Sequence, residues 1–239
     1  MEKTKKIKLF LGLFYLILIV LLLYFFFSKF TIQEITSYEF IKNNRNYFYD
    51  LRQSNLFLLG TLFILFTIIW ILALGFLSPL GLLAGFMFGK WFGLIFLISG
   101  TAIGATLLYL VANFFFKEII RDKFLNKFRN LEVKFKKSEF FYLLIFRFIG
   151  GTPFNLQNLL PCIFNVKVSN FFWSTFLGII PQVFLVVSIG SGLEKVIDQN
   201  LVAPGISDII KTPEIYIPII VFICLVLILV LLRKRFYKN

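Results

Sequence analysis

Long apolar runs with no charge in them constrain this chain more than any other feature. A helix needs roughly 20 apolar residues to cross a hydrocarbon core of about 30 Å. Residues 9–27, 56–77, 92–116 and 216–232 each supply such a run. Residues 171–193 supply a fifth, despite Pro181 and several glycines. The 239 residues are 59% hydrophobic and only 15% charged, against the quarter or so charged in a soluble domain. An all-α polytopic membrane protein with about five transmembrane helices follows. Its parts are an N-terminal signal-anchor helix and polar loop (1–55), a membrane core (56–195), and a loop with a C-terminal transmembrane helix and basic tail (196–239). The apolar run at 9–27 is longer than a signal-peptide core, and Ser28-Lys29-Phe30 offers no small-residue cleavage site, so the helix reads as retained.

Composition also excludes chemistries. The chain has no histidine, which removes His-ligated metals and Ser-His-Asp triads. Cys162 and Cys224 are far apart in apolar surroundings and read as packed thiols rather than a redox or zinc pair. No cofactor is expected. The net charge of +13 falls in loops, where Lys and Arg meet anionic lipid headgroups and set orientation; nucleic acid is not an expected partner. The 34 phenylalanines carry no individual functional weight.

Two further apolar stretches are too short or too broken to span alone. One is 78–89, from Ser78-Pro79 to Gly89 and closed by Lys90; the other is 140–164, broken by Gly150-Gly151-Thr152-Pro153. Backbone interrupted at membrane depth is tolerated only where protein or a water-lined cavity covers it. Each stretch is a re-entrant hairpin or a kinked helix, and the Gly-Gly-Thr-Pro break favours the hairpin. At an offset of 77, Leu82-Leu83 matches Leu159-Leu160, Lys90 matches Lys167, and Gly104 matches Pro181. Broken segments at corresponding places in two halves point to an inverted repeat with a transporter-type site.

Between the halves, Ile120, Phe124, Phe128, Leu131 and Phe135 recur at helical spacing among Lys and Arg. The pattern predicts an amphipathic helix over 117–137, on the membrane surface or packed on the hairpins, with Lys123, Lys127, Arg129 and Lys134 toward lipid headgroups. A second surface helix is expected around 38–49. Five crossings put 17 Lys and Arg (residues 28–55, 117–137, Lys167 and the C-terminal tail) on one face and 7 on the other. The first face is then cytoplasmic in a cell (inner) membrane, but the lysine-rich N-terminus lands on the wrong side. Either that terminus is an exception or a segment is miscounted as a crossing.

Arg147 is the one charge well inside an apolar stretch. A central membrane arginine costs roughly 2.5–3.5 kcal/mol on insertion scales and faces a cavity or a partner. Pro153, Asn155, Gln157 and Asn158 follow, with Asn155 and Asn158 three apart on one helical face. Guanidinium, amides and freed backbone N–H groups would make an anion pocket. The alternative is that Arg147 donates to carbonyls released by the break and holds the hairpin shut. Tyr109, Asn113, Gln182, Ser188 and Ser191 either line a path or hydrogen-bond between helices. Gly100, Gly104, Gly178, Gly190 and Gly192 are expected to permit close helix packing.

Pro79-Leu-Gly-Leu-Leu-Ala-Gly85-Phe-Met-Phe-Gly89 with Gly93 and Gly100-Thr-Ala-Ile-Gly104, and then RFIGGTPFNLQNLLPCIFNVKVSNFFWSTFLGIIP, resemble the two blocks of the DedA/SNARE-associated Golgi protein superfamily, the VTT domain. The second block is closest to the Tvp/Tmem-type branch. The resemblance implies two opposed re-entrant hairpins around a central site and a role in lipid scrambling, polyprenyl-phosphate flipping or membrane homeostasis. It carries Arg147, Pro153, Asn155 and Asn158 over as hairpin residues. The acidic residues that DedA-type members carry at the first hairpin are missing from 76–81, and Asn113 replaces an arginine often found after the first long helix. A passive carrier of an anionic lipid or lipid-linked phosphate is the leading expectation. A non-transporting scaffold acting through the basic surface helix is the alternative. An enzyme is not expected, since 140–164 holds no His, Asp or Glu.

Overall fold

The computed structural model describes residues 38–149, 152–199 and 211–236, together with scattered positions between 10 and 28. Its described residues are helical apart from short connections. The elements are α1 (Tyr38–Leu72), α2 (Leu77–Lys137), α3 (Glu139–Ile149), α4 (Phe154–Leu159), α5 (Pro161–Phe164), α6 (Val168–Gly178), α7 (Ile180–Gln199) and α8 (Pro213–Phe236). Arg52–Leu72 and Leu77–Phe115 are each long and apolar enough to cross a membrane, and Val168–Gly178 with Ile180–Leu193 makes a third span bent by 42°. That bend sits at Pro181, whose missing N–H cannot continue the ladder. The described positions of the N-terminal run are helical, and Tyr15 donates its hydroxyl to the Leu72 carbonyl at 2.7 Å. The expected surface helix at 38–49 is the first part of α1, which kinks at Asn55 (φ −153°, ψ 62°).

α2 is not one rod. Gly89 has φ +72°, a left-handed conformation open to glycine at no steric cost, and there the chain reverses. A Cβ on Gly81 would stand 3.7 Å from Leu97 Cδ2, and one on Gly93 would stand 2.6 Å from the Ala84 carbonyl oxygen. Sixteen residues of straight helix would put the first pair about 24 Å apart. The arm from Leu77 to Phe88 therefore lies back along the arm that begins at Lys90, with Phe88 edge-on to Phe96 at 5.1 Å.

The two halves repeat this plan. In the first, α1 runs parallel to the long arm of α2, with Thr67 against Gly100 and Ile71 against Gly104. In the second, α3 runs parallel to α6. Glu139 Oε2 accepts from the Lys167 amide (3.2 Å) and from Asn170 Nδ2 (2.9 Å), while Arg147 lies against Gly178. Each half is thus a leading helix, a connecting loop, a short helical arm with a proline at its start (Pro79) or just before it (Pro153), a left-handed residue (Gly89, or Asn165 at φ 50°) and a long helix. The long helices are antiparallel: Gly93 meets Val187 at one end, and Tyr109 stacks on Phe171 at the other. Each short helix packs on the long helix of the opposite half. Gly85 fits against the Val187 carbonyl, and Gly190 against the Leu82 carbonyl. Cys162 lies 3.9 Å from the Tyr109 carbonyl oxygen.

These backbone-to-backbone contacts leave no room for a methyl group. Gly85→Ala is expected to cost about 2 kcal/mol or more, the scale of an overpacked core. Gly60→Ala meets only the end of the Phe96 ring, which can swing aside, and costs less. Paired thermal melts in detergent give the comparison; equal losses would contradict the backbone clamp.

Candidate functional site

Arg147 stands in the last turn of α3, where helix carbonyls have no donor four residues on. Its own carbonyl accepts from Gln182 Nε2 at 2.6 Å, so the second long helix caps the broken one. Its side chain is wholly buried. The guanidinium carbon lies 5.1 Å from the Phe171 ring centroid and 5.5 Å from that of Phe154. Tyr109 stacks on Phe171 at 4.6 Å and donates its hydroxyl to the Val166 carbonyl at 2.7 Å. None of the three guanidinium nitrogens has a hydrogen-bond partner among the described residues. Cation–π contacts return about 0.5–2 kcal/mol each, less than the several kcal/mol that burying an unpaired ion costs.

The helix breaks after Ile149 and resumes at Phe154, with Pro153 extended (φ −52°, ψ 136°). Phe154 and Asn158 are one turn apart and share a face of α4. Asn158 is wholly buried, and neither its amide nitrogen nor its oxygen has a partner among the described residues. Gln157 donates to the Thr152 carbonyl at 2.9 Å and so shapes the loop. Asn155 turns elsewhere: its Nδ2 donates to the Leu74 carbonyl at 2.7 Å. Leu74 is itself left-handed (φ 59°) in the loop between α1 and α2, so the first turn of α4, just after the break at Pro153, touches that loop. Asn155 and Asn158 stand three apart on α4 as expected, and Asn155 Oδ1, like the Asn158 carboxamide, is buried without a partner among the described residues, while Asn155 Nδ2 also joins the halves.

The remaining expected positions fall as follows. Pro79 lies in the first turn of α2, Gly85 in the clamp on α7, Gly89 at the reversal, Gly178 beside Arg147, and Pro181 at the bend. Gly150 and Gly151 lie outside the described residues. Residues 117–137 are helical in backbone, but the side chains of Lys123, Lys127, Arg129 and Lys134 lie outside the described residues. Sequence reasoning missed Phe154 and Phe171, because nothing separates them from 32 other phenylalanines in the same chain. It also missed Thr67 and Thr101, ordinary threonines inside apolar helices.

Apolar spans in two matching halves, with the start of α4 in contact with the loop between α1 and α2 beside a buried cation, define a multi-pass helical membrane protein. Residues 76–192 match the VTT domain. The chain is 29% identical over 119 residues to the Transmembrane protein 41 homolog of Caenorhabditis elegans, which covers 48% of this chain and 48% of that protein. The chain thus spans about half the length of the curated relative it matches. No solved structure matches it. The protein is thus a membrane protein that carries a VTT domain and is similar, over about half of its length, to a protein of the DedA/Tmem41 type.

If Arg147 is not needed to hold the fold, an apolar side chain of similar length should be tolerated between the two rings. Arg147→Met is expected to melt within about 1.5 kcal/mol of the parent, since an apolar isostere replaces a buried ion at little cost. Arg147→Ala leaves a cavity and loses about 2–5 kcal/mol. A methionine variant as unstable as the alanine one would make the guanidinium structural.

Proposed function

We propose that the protein carries an anionic lipid, or a lipid-linked phosphate, between leaflets through a chamber at Arg147. The observation that carries this reading is a wholly buried guanidinium without a hydrogen-bond partner among the described residues, where the loops of the two halves meet. Depth supports it. Along α6 and α7, Gly178 beside Arg147 is about 16 Å of helix rise from Lys167 and about 14 Å from Val187, whose neighbour Gly93 adjoins Lys90. Those distances together are close to the roughly 30 Å of a hydrocarbon core, which supports a mid-depth position for Arg147. Without a carboxylate in residues 76–81 or 140–164, passive exchange fits better than proton coupling.

In this reading α1 with the short arm of α2, and α3 with α4 and α5, are re-entrant hairpins entering from opposite faces, as in an inverted repeat. Residues 56–195 form the transport core. The full crossings are then the N-terminal helix, the long arm of α2, α6 with α7, and α8. Four crossings bring the N-terminal lysines to the side of 117–137 and the C-terminal tail, and the 17-to-7 excess of Lys and Arg marks that side as cytoplasmic. Cysteine-accessibility mapping is expected to place residues 1–8 and 117–137 on the same side of the cell membrane; opposite sides would restore the five-crossing count.

The transport reading is tested in proteoliposomes carrying a fluorescent phospholipid whose outer-leaflet label is chemically reduced. The protein is expected to accelerate loss of the protected fraction. Arg147→Met should return the rate to that of protein-free vesicles, while neutralising Lys123, Lys127, Arg129 and Lys134 leaves most of it. The reverse pattern favours a scaffold acting through its basic helix, and a folded protein with no acceleration removes transport.

A further inference from the structure

Hydroxyls inside apolar helices ordinarily donate to the carbonyl one turn back. Five here do so or nearly so. Thr61, Ser99, Thr106 and Thr175 donate to the carbonyl four residues earlier at 2.7–2.8 Å, and Ser174 to Phe171 at 3.0 Å. Thr67 and Thr101 are different. Both are wholly buried, and neither hydroxyl has a partner among the described residues. They sit together in the fold, since Thr67 packs on Gly100, the residue before Thr101. They also lie at the depth where the Arg147 side chain leaves α3, its guanidinium reaching on from there toward Phe171. The antiparallel register from Gly93 against Val187 to Tyr109 on Phe171 brings Thr101 level with Ile179, next to Gly178 and hence Arg147.

Resting on the transport reading above, we propose that Thr67 and Thr101 complete the chamber at Arg147 as hydroxyl donors for the headgroup of a phosphodiester lipid. The second half supplies the positive charge and the Asn158 carboxamide; the first supplies the hydroxyls. The substrate class follows from charge. Arg147 is the one charge well inside an apolar stretch, so a phosphodiester with one negative charge leaves the chamber neutral. A phosphomonoester, at about −1.5 to −2 near neutral pH, leaves it negative in a medium that screens charge poorly. Two donors without a proton to lose also suit the non-bridging oxygens, which only accept.

The stability of the protein separates this from an accident of packing. An unsatisfied buried hydroxyl is a burden on the fold, so removing it is neutral or stabilising. Thr67→Val with Thr101→Val is expected to melt at or above the parent temperature. The same double variant should exchange labelled phosphatidylglycerol at least about fivefold more slowly, since it loses two donors and one hydrogen bond alone is of that scale, and Thr67→Ser with Thr101→Ser should restore the rate. The assay uses phosphatidylcholine vesicles with a trace of acyl-labelled phosphatidylglycerol or phosphatidic acid, and the parent should move the former about fivefold faster or more. A valine variant with parental exchange, or one that melts lower, overturns the role of the hydroxyls, and equal rates for the two lipids overturn the charge class. In both cases the transport reading stands so long as the parent accelerates exchange and Arg147→Met does not. A parent that accelerates neither lipid overturns both.

Discussion

An interrupted helix in hydrocarbon must have its freed backbone groups covered, because the lipid offers neither donors nor acceptors. That constraint organises the whole molecule. Each half interrupts its helix, at 73–76 and before Phe154, and the two interruptions meet through the Asn155 bond to Leu74. The long helices then close around them. They can do so only because Gly85 and Gly190 let backbone meet backbone across the two halves. The interior so made is walled by Phe154, Phe171 and Tyr109 and encloses the Arg147 guanidinium.

The halves share a plan but not a chemistry. At the offset of 77 that relates Lys90 to Lys167, the position of Arg147 corresponds to Trp70 in the first half. Trp70 donates its indole N–H to the Phe76 carbonyl at 2.9 Å, so there the side chain caps its own loop. Arg147 leaves that work to Gln182 and keeps its donors unspent. The shared plan encloses the site, and the departure from it leaves a buried charge there.

Much of this was legible in the sequence. Apolar length gave the spans, and Gly-Gly-Thr-Pro marked the break before Phe154. The spacing of Lys90 and Lys167 disclosed a repeat that the structure repeats as an order of helices. Arg147 stood out because a charge in hydrocarbon needs a reason. What stayed hidden depends on three-dimensional register. Residues 56–77 are apolar enough to cross, and only the contacts of Thr67, Ile71 and Gly89 pair them with the arm that follows. Phe154 and Phe171 were lost among identical residues, and a buried threonine looks the same in sequence whether or not its hydroxyl finds a carbonyl.

The central claim is that the two loops meet in the interior of the membrane beside Arg147. The most direct measurement is cross-linking in native membranes of a Leu74→Cys, Asn155→Cys pair, with Cys162 and Cys224 replaced by alanine and a membrane-permeant oxidant. A bridge within one chain is expected, formed as readily as the 2.7 Å Asn155–Leu74 hydrogen bond suggests, with the thiols inaccessible to water-soluble reagents before oxidation. Free thiols after oxidation, or thiols labelled at once from the aqueous side, would contradict it.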